Sequence, residues 1–204
     1  RYVRKKYRIS NHKKIAIFAG VLGPAQGLDN LIMIAEEVRL TKPNWHFLIL
    51  GGGSDASRIK SIINERQLTN IQLEDFVNPQ EYSLVLSGCD LGLVFLSNMN
   101  KTPVVPGKIL GYMQSKKPIF CVANLESDAH EILSISNSGR SVFALASKDQ
   151  ILKEFGLLVD DDQHLSKLGE NGYKFAKKNY EISVVVNKLF HTLKNIRKYN
   201  EAKV

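Results

Sequence analysis

The chain has 204 residues, of which 44% are hydrophobic and 24% are charged. This is the composition of a soluble globular protein with a sizeable core, and it excludes a disordered chain. No apolar run approaches the roughly 20 residues that a membrane-spanning helix needs, and residues 1–8 lack the apolar segment of a signal peptide. We therefore expect a cytoplasmic protein.

The formal net charge of +8 belongs to the two ends of the chain. Residues 1–14 hold seven basic residues and no acid, and residues 194–204 have a net charge of +3, which leaves −2 for the middle. A nucleic-acid-binding protein more often carries a basic stripe with aromatic side chains through its fold, so we expect no nucleic-acid partner. The basic ends are either solvated linkers or a peripheral contact with the inner face of an anionic membrane.

Short apolar runs alternate with amphipathic stretches, which is typical of βαβ units around a parallel sheet. The apolar runs predict strands at Ile15–Ala19, Trp45–Leu50, Ile71–Leu73, Leu91–Leu96, Ile119–Val122 and Val142–Leu145. Helical periodicity predicts helices at Leu28–Leu40, Ala56–Arg66, Pro79–Ser87, Lys108–Ser115 and Ala129–Ile135, and from Asp149 onward every predicted element is a helix. The predicted fold class is α/β, a Rossmann-like parallel sheet of about six strands with helices on both faces and a helical C-terminal tail.

Residues 1–14 have the composition of a linker or of the end of an interdomain connection, because a strongly basic stretch without core residues precedes the first strand. Residues 15–180 then form the Rossmann-like domain, and residues 181–204 form the C-terminal helix. On this interpretation the chain is the second half of a longer protein.

The segment from Val104 to Cys121 carries the strongest functional indication. It combines a loop, a helix that begins with Gly107 and Lys108, and a buried strand. A helix start leaves backbone N–H groups unpaired and adds partial positive charge, and glycine lets a ligand approach the backbone closely. Lys108 adds a full positive charge, so this segment predicts an anion site.

A second glycine-bearing loop, from Phe18 to Asp29, lies between the first strand and the first amphipathic helix. Either loop alone is weak evidence, because glycine-rich turns of this kind occur in every doubly wound fold. Together the two loops predict a diphosphate held between two helix starts.

Other kinds of chemistry are weakly indicated. The five histidines are scattered without metal-ligand spacing, so we expect no metal. The glycine run at residues 51–53 lacks the dinucleotide-binding spacing, which argues against a dehydrogenase. The aspartates at residues 160–162 are either a cation site or a helix cap, and a cap is the commoner arrangement. Cys89 and Cys121 have apolar neighbours and are expected to be reduced core residues.

Five ordered segments resemble the C-terminal, nucleotide-sugar-binding domain of GT-B glycosyltransferases: Phe18–Ile32, Phe47–Gly53, Asn70–Val77, Cys89–Val94 and Pro106–Met113. The similarity is strongest to the bacterial retaining group that builds O-antigen, capsule and exopolysaccharide repeat units, and it covers residues 10–195. It implies a separate N-terminal domain, of which this sequence shows no part, that supplies most of the acceptor site.

The resemblance also implies roles for individual residues. It places five of them against the donor diphosphate: Gly23, Gln26, Gly107, Lys108 and Ile109. It places five more around the nucleoside: Gly51, Gly52, Phe76, Val77 and Gly111. The implied activity is a retaining, metal-independent hexosyl or N-acetylhexosaminyl transfer without a cofactor, from a uridine-linked donor to a glycan or lipid-linked acceptor. This half of the protein alone would be inactive.

The sequence departs from the family pattern at several of these positions. Val21 and Gln26 stand where many relatives have basic residues, and Lys108 can compensate for the missing charge. The family's two glutamates would fall near Pro103 and at Gly111, and the second normally holds the ribose hydroxyls. Ribose recognition must therefore come from elsewhere, be weakened or be absent. A non-catalytic donor-binding module thus stays open as an alternative, as does a nucleotide-sugar epimerase.

Overall fold

The computed structural model describes residues 2–99 and 105–201, with side chains through residue 194. The strands are β1 (Lys14–Ala19), β2 (Trp45–Leu50), β3 (Ile71–Glu74), β4 (Leu91–Phe95), β5 (Ile119–Ala123) and β6 (Gly139–Phe143). The helices are α1 (Tyr2–Lys6), α2 (Asp29–Thr41), α3 (Ala56–Glu65), α4 (Pro79–Ser87), α5 (Lys108–Gln114), α6 (Ala129–Ser136), α7 (Lys148–Val159), α8 (Asp162–Tyr180) and α9 (Ile182–Glu201). A short 3-10 turn at Pro24–Gln26 lies between β1 and α2.

The strands pair in parallel in the order β3-β2-β1-β4-β5-β6, which confirms the predicted α/β class. The chain runs outward from β1 to β3 and then returns to start again at β4, so the strand order reverses between β1 and β4. In open parallel sheets, ligands bind at such a switch point, outside the carboxyl ends of the strands. The topology therefore predicts a ligand site between the loops that follow β1 and β4.

The last strand begins three residues earlier than its hydropathy predicts. The apolar run indicated Val142–Leu145, whereas β6 starts at Gly139 and pairs there with Ile119. A Cβ at Gly139 would lie 1.9 Å from the carbonyl oxygen of Ile119, so only glycine lets the two backbones approach this closely. Because polar residues follow Gly139 on this edge strand, hydropathy does not indicate where the strand begins.

The sheet is buried on both faces, as its continuous apolar runs predict. On one face α2, α3 and α7 enclose a cluster that includes Phe18, Phe47 and Phe155. On the other face α1, α4, α5 and α6 enclose a cluster that includes Ile17 and Tyr112. Since successive side chains of a strand point to opposite faces, neighbouring residues of β1 contribute to different clusters.

Residues 2–9 contribute to the core, which corrects the prediction that the first 14 residues lack core residues. Val3 is fully buried, and Tyr7 and Ile9 are buried in the same cluster. Val3 packs so closely on the end of α4 that a Cβ at Gly88 would lie 2.6 Å from its Cγ1, and Arg4 donates to the carbonyl oxygen of Gly88 at 2.8 Å. These three apolar side chains lie among many basic ones and show no clear helical periodicity. The sequence therefore does not predict this packing.

The packing of Tyr112 fixes α5 over the switch point. Tyr112 is fully buried, and its hydroxyl lies 3.1 Å from the carbonyl oxygen of Ile17 in β1 and 3.3 Å from that of Leu93 in β4. Gly92 makes room for the ring, because a Cβ there would come within 2.5 Å of it. The amino end of α5, where Lys108 lies, is therefore held at the carboxyl edge of the sheet.

The predicted helix at the C-terminal end is confirmed as α9, which packs against α8. It exposes apolar side chains at helical spacing: Ile182, Val185, Leu189, Phe190 and Leu193. Among the helices of the described residues, none combines the length and hydrophobicity needed to cross a bilayer.

Candidate functional site

The loops that follow β1 and β2 are joined by backbone hydrogen bonds beyond the ends of their strands. The N–H of Gly20 donates to the carbonyl oxygen of Leu50 at 3.0 Å, and that of Leu22 donates to Gly52 at 2.9 Å. A Cβ at Gly51 would lie 1.9 Å from the carbonyl oxygen of Gly20, so the two loops can meet only at a glycine. The glycine run after β2 is thus explained by packing that holds the first loop at the edge of the sheet.

The loop after β1 also crosses the switch point to reach the end of β4. The carbonyl oxygen of Ala25, in the 3-10 turn, accepts a hydrogen bond at 2.9 Å from the N–H of Ser97, which follows β4. Gly27 has a left-handed φ of 58° directly after the turn, where its backbone comes close to that of Ser97. These contacts place Gln26 at the crevice between the two strands.

Lys108 extends from the start of α5 toward this loop and brings the two predicted segments together. Its Nζ donates to Oε1 of Gln26 at 3.1 Å and lies 3.8 Å from the centroid of the Phe18 ring. Gly20 leaves space for the ammonium, since a Cβ at that position would be 3.3 Å from Nζ. The glycine loop after β1 and the start of α5 therefore meet at one cation.

The Lys108 ammonium is half-buried, and burial lowers its pKa to about 8. Its acceptor, Gln26, is neutral, and its other neighbour is an aromatic face, which attracts a cation only moderately. No carboxylate of the described residues forms an ion pair with it. A partly desolvated cation without a counter-charge is costly, and an anion bound beside it would offset that cost.

A cavity of about 410 Å³ opens beside Lys108 at the same edge of the sheet. The segment between β3 and α4 contributes Phe76 and Val77 to its lining, and the start of α5 contributes Gly107 and Gly111. The Phe76 side chain is 59% exposed, so its ring is available to pack against a planar group. The volume and the mostly apolar lining with a cation beside it are typical of small-molecule sites.

Five of the ten predicted site residues line this cavity: Phe76, Val77, Gly107, Lys108 and Gly111. Gln26 is joined to it through the hydrogen bond with Lys108. Three others lie in the adjoining loops without lining the cavity: Gly23, Gly51 and Gly52. Gly51 and Gly52 adjoin lining residues, because a Cβ at Gly51 would be 1.9 Å from the carbonyl oxygen of Gly20 and one at Gly52 would be 3.4 Å from the Phe76 ring.

Ile109 is the predicted residue whose surroundings suit a phosphate contact least. Its side chain is fully buried in the core, and its N–H already donates to the carbonyl oxygen of Pro106 at 2.9 Å. In this arrangement the N–H is not available to an anion. Gly107 and Lys108 are the members of the segment that can contact one.

Gly111 has open space where a side chain would project. A Cβ at this position would meet nothing in the described residues within 4 Å, so packing does not explain the glycine. The cavity therefore has room for a larger side chain here. Pro103, the other position of the family's glutamate pair, lies outside the described residues.

Sequence reasoning missed Tyr82, which lines the cavity from the first turn of α4. Apart from Lys108, it is the only described lining residue whose side chain can form hydrogen bonds. The available signal was its position: Asn78 and Pro79 mark a helix start, and Tyr82 lies in the first turn of this helix, shortly after Phe76 and Val77 in the chain.

The aspartate run before α8 has structural partners. The side chain of Asp161 accepts a hydrogen bond at 2.8 Å from the N–H of the second residue of α8, which confirms the capping interpretation for this residue. Asp160 forms an ion pair with Lys42, and Asp162 forms one with Lys14. All three carboxylates are thus explained by the fold.

The two cysteines are free and buried, as predicted for core residues. Burial raises the pKa of Cys89 and of Cys121 to about 12, which keeps both thiols protonated and unreactive. The described residues contain no group of three or more side chains that could hold a metal ion.

The strand order and the edge described above are those of a Rossmann-like domain of the GT-B glycosyltransferase type. Residues 2–175 match the model of the family called glycosyl transferases group 1, and the chain belongs to this family. The resemblance found in the sequence is therefore confirmed.

Similar proteins support this assignment. The chain is 28% identical over 107 residues to WcaI of Escherichia coli strain K12, described as a colanic acid biosynthesis glycosyl transferase, and the match covers 52% of this chain and 26% of WcaI. Anabaena HepE, whose structure was solved in complex with UDP-glucose, matches with a TM-score of 0.76 and 16% identity, over 95% of this chain and 52% of HepE.

A third protein is a single domain of similar size. The C-terminal domain of LpcC, a glycosyl transferase group 1 family protein from Francisella tularensis, matches with a TM-score of 0.68 and 18% identity. The match covers 89% of this chain and 92% of that domain. At such identities the two structural matches show the fold alone, and the chain spans about a quarter of WcaI and half of HepE.

Proposed function

We propose that this chain is the donor-binding half of a glycosyltransferase and that it holds a uridine-linked nucleoside-diphosphate sugar at the carboxyl edge of its sheet. The observation that carries the proposal is the half-buried Lys108 ammonium, which lies at the switch point without a carboxylate partner among the described residues. Family membership supports the reaction class. The complex of HepE with UDP-glucose supports the donor class.

In this proposal Lys108 and Gln26 act together on the diphosphate. Gln26 accepts from Lys108 through Oε1, so its amide NH₂ group is left to donate to a phosphate oxygen. As the bond between sugar and diphosphate breaks, negative charge grows on the departing oxygen, and a cation already fixed beside it stabilises that state more than the bonded one. A charged hydrogen bond of this kind contributes about 1.5–3 kcal/mol.

The positive charge of Lys108 also leads us to propose that donor binding requires no metal ion. In many nucleotide-binding sites a divalent cation neutralises the phosphates. In this chain the ammonium of Lys108, beside the cavity, supplies positive charge for the diphosphate. Adding EDTA to the protein is expected to leave its affinity for UDP unchanged. A loss of affinity that Mg²⁺ or Mn²⁺ restores would contradict this part of the proposal.

The acceptor is proposed to be a glycan or a lipid-linked glycan of a bacterial surface polysaccharide, delivered by a part of the protein outside this chain. The relation to WcaI supports this class. The test is sugar transfer by the full-length protein, with UDP-glucose and UDP-N-acetylglucosamine as donors and a membrane lipid extract as acceptor. We expect acceptor-dependent release of UDP, and a protein that neither binds nor cleaves either donor would overturn the proposal.

Gly111 favours a second candidate, a donor-binding module without catalysis, because the position offers no side chain to the nucleotide. Gly111→Glu separates the two candidates, and the open space around Gly111 allows this substitution. Transfer by the unmodified full-length protein would exclude the non-catalytic module. Transfer by Gly111→Glu alone would establish it.

A further inference from the structure

A nucleoside diphosphate in the cavity beside Lys108 presents three chemically different parts. The diphosphate needs positive charge and N–H donors, which the edge between β1 and α5 provides. The base has a planar face, and the exposed ring of Phe76 lines the cavity. The ribose has two hydroxyls, and burying them without hydrogen-bond partners is unfavourable.

The cavity offers few partners for those hydroxyls. Of the described residues that line it, only Lys108 and Tyr82 have side chains that form hydrogen bonds. Gly111, on the helix that carries Lys108, contributes no side chain. With Lys108 directed at the β1 loop by its hydrogen bond to Gln26, Tyr82 is the side chain left for the ribose.

Helix α4 holds Tyr82 firmly. Asn78 caps the helix by accepting a hydrogen bond from the N–H of Glu81 at 2.8 Å, and its own carbonyl oxygen accepts from the N–H of Tyr82 at 2.8 Å. The Tyr82 side chain packs against the core cluster that contains Tyr112. Its ring is thus anchored by packing, and little side-chain entropy remains to be lost when a ligand binds.

The hydroxyl of Tyr82 can act as a hydrogen-bond acceptor. Tyr112, which lies nearby, directs its one hydroxyl proton at the carbonyl oxygens of Ile17 and Leu93, so this proton is not committed to Tyr82. The phenol oxygen of Tyr82 has two lone pairs, which can therefore accept a hydrogen bond from a ligand. Burial raises the pKa of Tyr82 to about 12, so it stays a neutral phenol at physiological pH.

We infer that the hydroxyl of Tyr82 accepts a hydrogen bond from a ribose hydroxyl of the bound nucleotide, in a cavity where α5 supplies no side chain for this purpose. The inference rests on the proposed function, because it requires a nucleoside diphosphate in the cavity. It makes Tyr82 a determinant of the preference for ribonucleotides.

The test is isothermal titration calorimetry of the full chain with UDP, 2′-deoxy-UDP, 3′-deoxy-UDP and inorganic pyrophosphate. In the unmodified protein, at least one deoxy analogue is expected to bind about fivefold more weakly than UDP, the size of one neutral hydrogen bond. Tyr82→Phe is expected to bind UDP about fivefold more weakly and no longer to distinguish UDP from that analogue. Its affinity for pyrophosphate stays unchanged.

Two further variants serve as controls. Tyr180→Phe removes a tyrosine hydroxyl from α8, away from the cavity, and is expected to behave as the unmodified protein. Gly111→Glu in the Tyr82→Phe background is expected to recover discrimination, because a carboxylate there can accept from ribose hydroxyls. A Tyr82→Phe protein weakened by a general loss of structure would not be rescued in this way, and that result would overturn the inference.

The remaining outcomes separate the inference from the proposed function. If the protein binds UDP and Tyr82→Phe binds UDP and both deoxy analogues with unchanged affinities, the inference fails and the proposed function stands. If the unmodified protein binds neither UDP nor pyrophosphate, both fail together.

Discussion

The lysines at the two edges of the sheet differ in their partners. At the amino edge, three lysines line one cavity, and each is bonded to a protein oxygen: Lys14 to Asp162, Lys116 to Glu170, and Lys117 to the carbonyl oxygens of Ser87 and Cys89. At the carboxyl edge, Lys108 has a neutral amide oxygen as its hydrogen-bond partner among the described residues and an aromatic ring beside it. Lys14 and Lys116 therefore have a carboxylate counter-charge within the fold and Lys117 has two carbonyl acceptors, whereas Lys108 has one neutral acceptor.

This difference identifies a ligand site more reliably than the presence of a cavity. The amino edge has a cavity of about 330 Å³, close to the 410 Å³ of the carboxyl edge. Volume alone would not separate the two. What separates them is that two of the amino-edge lysines, Lys14 and Lys116, form ion pairs with carboxylates, whereas Lys108 forms none among the described residues.

The largest effect is expected from Lys108→Met, which removes the cation and keeps most of the apolar stem. UDP affinity is expected to fall about tenfold or more, which corresponds to one charged hydrogen bond. The free energy of unfolding is expected to stay the same or to rise, because a partly desolvated charge has been removed. Calorimetric titration and urea unfolding measure the two effects. Unchanged UDP affinity would place the diphosphate elsewhere.

The matched substitution at the amino edge, Lys117→Met, is expected to have the opposite pattern. It leaves the carbonyl oxygens of Ser87 and Cys89 without this donor, so the free energy of unfolding is expected to fall by about 1–2 kcal/mol. UDP affinity is expected to stay unchanged. A Lys117→Met protein with normal stability and reduced UDP affinity would remove the distinction between the edges.

A pH titration sharpens the same comparison. The pKa of Lys108 is about 8 in the unliganded fold and near its ordinary value of 10.5 in the unfolded chain. Between these values the unfolded chain holds a proton at this site that the folded chain has lost, so the contribution of Lys108 to stability rises from pH 8 to 10.5. UDP affinity is expected to fall as pH rises through 8, because the anion needs the ammonium.

The difference between the unmodified protein and Lys108→Met isolates this contribution from other groups that titrate in the same range. In Lys108→Met, both the fall in affinity and the rise in stability are expected to be absent. If the variant kept the full pH dependence of UDP binding, another group would be responsible for it.

The smallest effect is expected from Gly111→Ala. Glycine inside a helix costs about 0.5–1 kcal/mol relative to alanine, and the added Cβ meets nothing in the described residues within 4 Å. The free energy of unfolding is therefore expected to rise by that amount in urea titrations. A fall in stability would show that the space around Gly111 is filled in solution.

The fold was largely predictable because a parallel sheet buried on both faces leaves continuous apolar runs, such as Trp45–Leu50, and amphipathic helices between them. The start of β6 and the helix α1 were not predicted. The start of β6 is polar because it lies on an edge strand, and α1 contributes only a few apolar residues that are surrounded by basic ones. In both cases contacts distant in sequence, with Ile119 and with Gly88, define the element.

The candidate site was predictable where chemistry follows from backbone and charge. A cation at a helix start, Lys108, and a glycine loop after the first strand were both readable from the sequence, and the structure brings them together. The place of Tyr82 in the cavity lining was missed, because a tyrosine in an amphipathic helix is ordinarily core. Likewise, the hydrogen bond of the Ile109 N–H to Pro106 depends on a turn geometry that the sequence does not specify.

The most direct test of the account is a crystal structure of this chain with UDP. We expect a phosphate oxygen about 2.7–2.9 Å from Nζ of Lys108, the usual length of a charged N–H···O hydrogen bond, with the nucleoside in the cavity lined by Phe76 and Tyr82. UDP bound at another surface, or an empty cavity at a saturating concentration of UDP, would contradict the account.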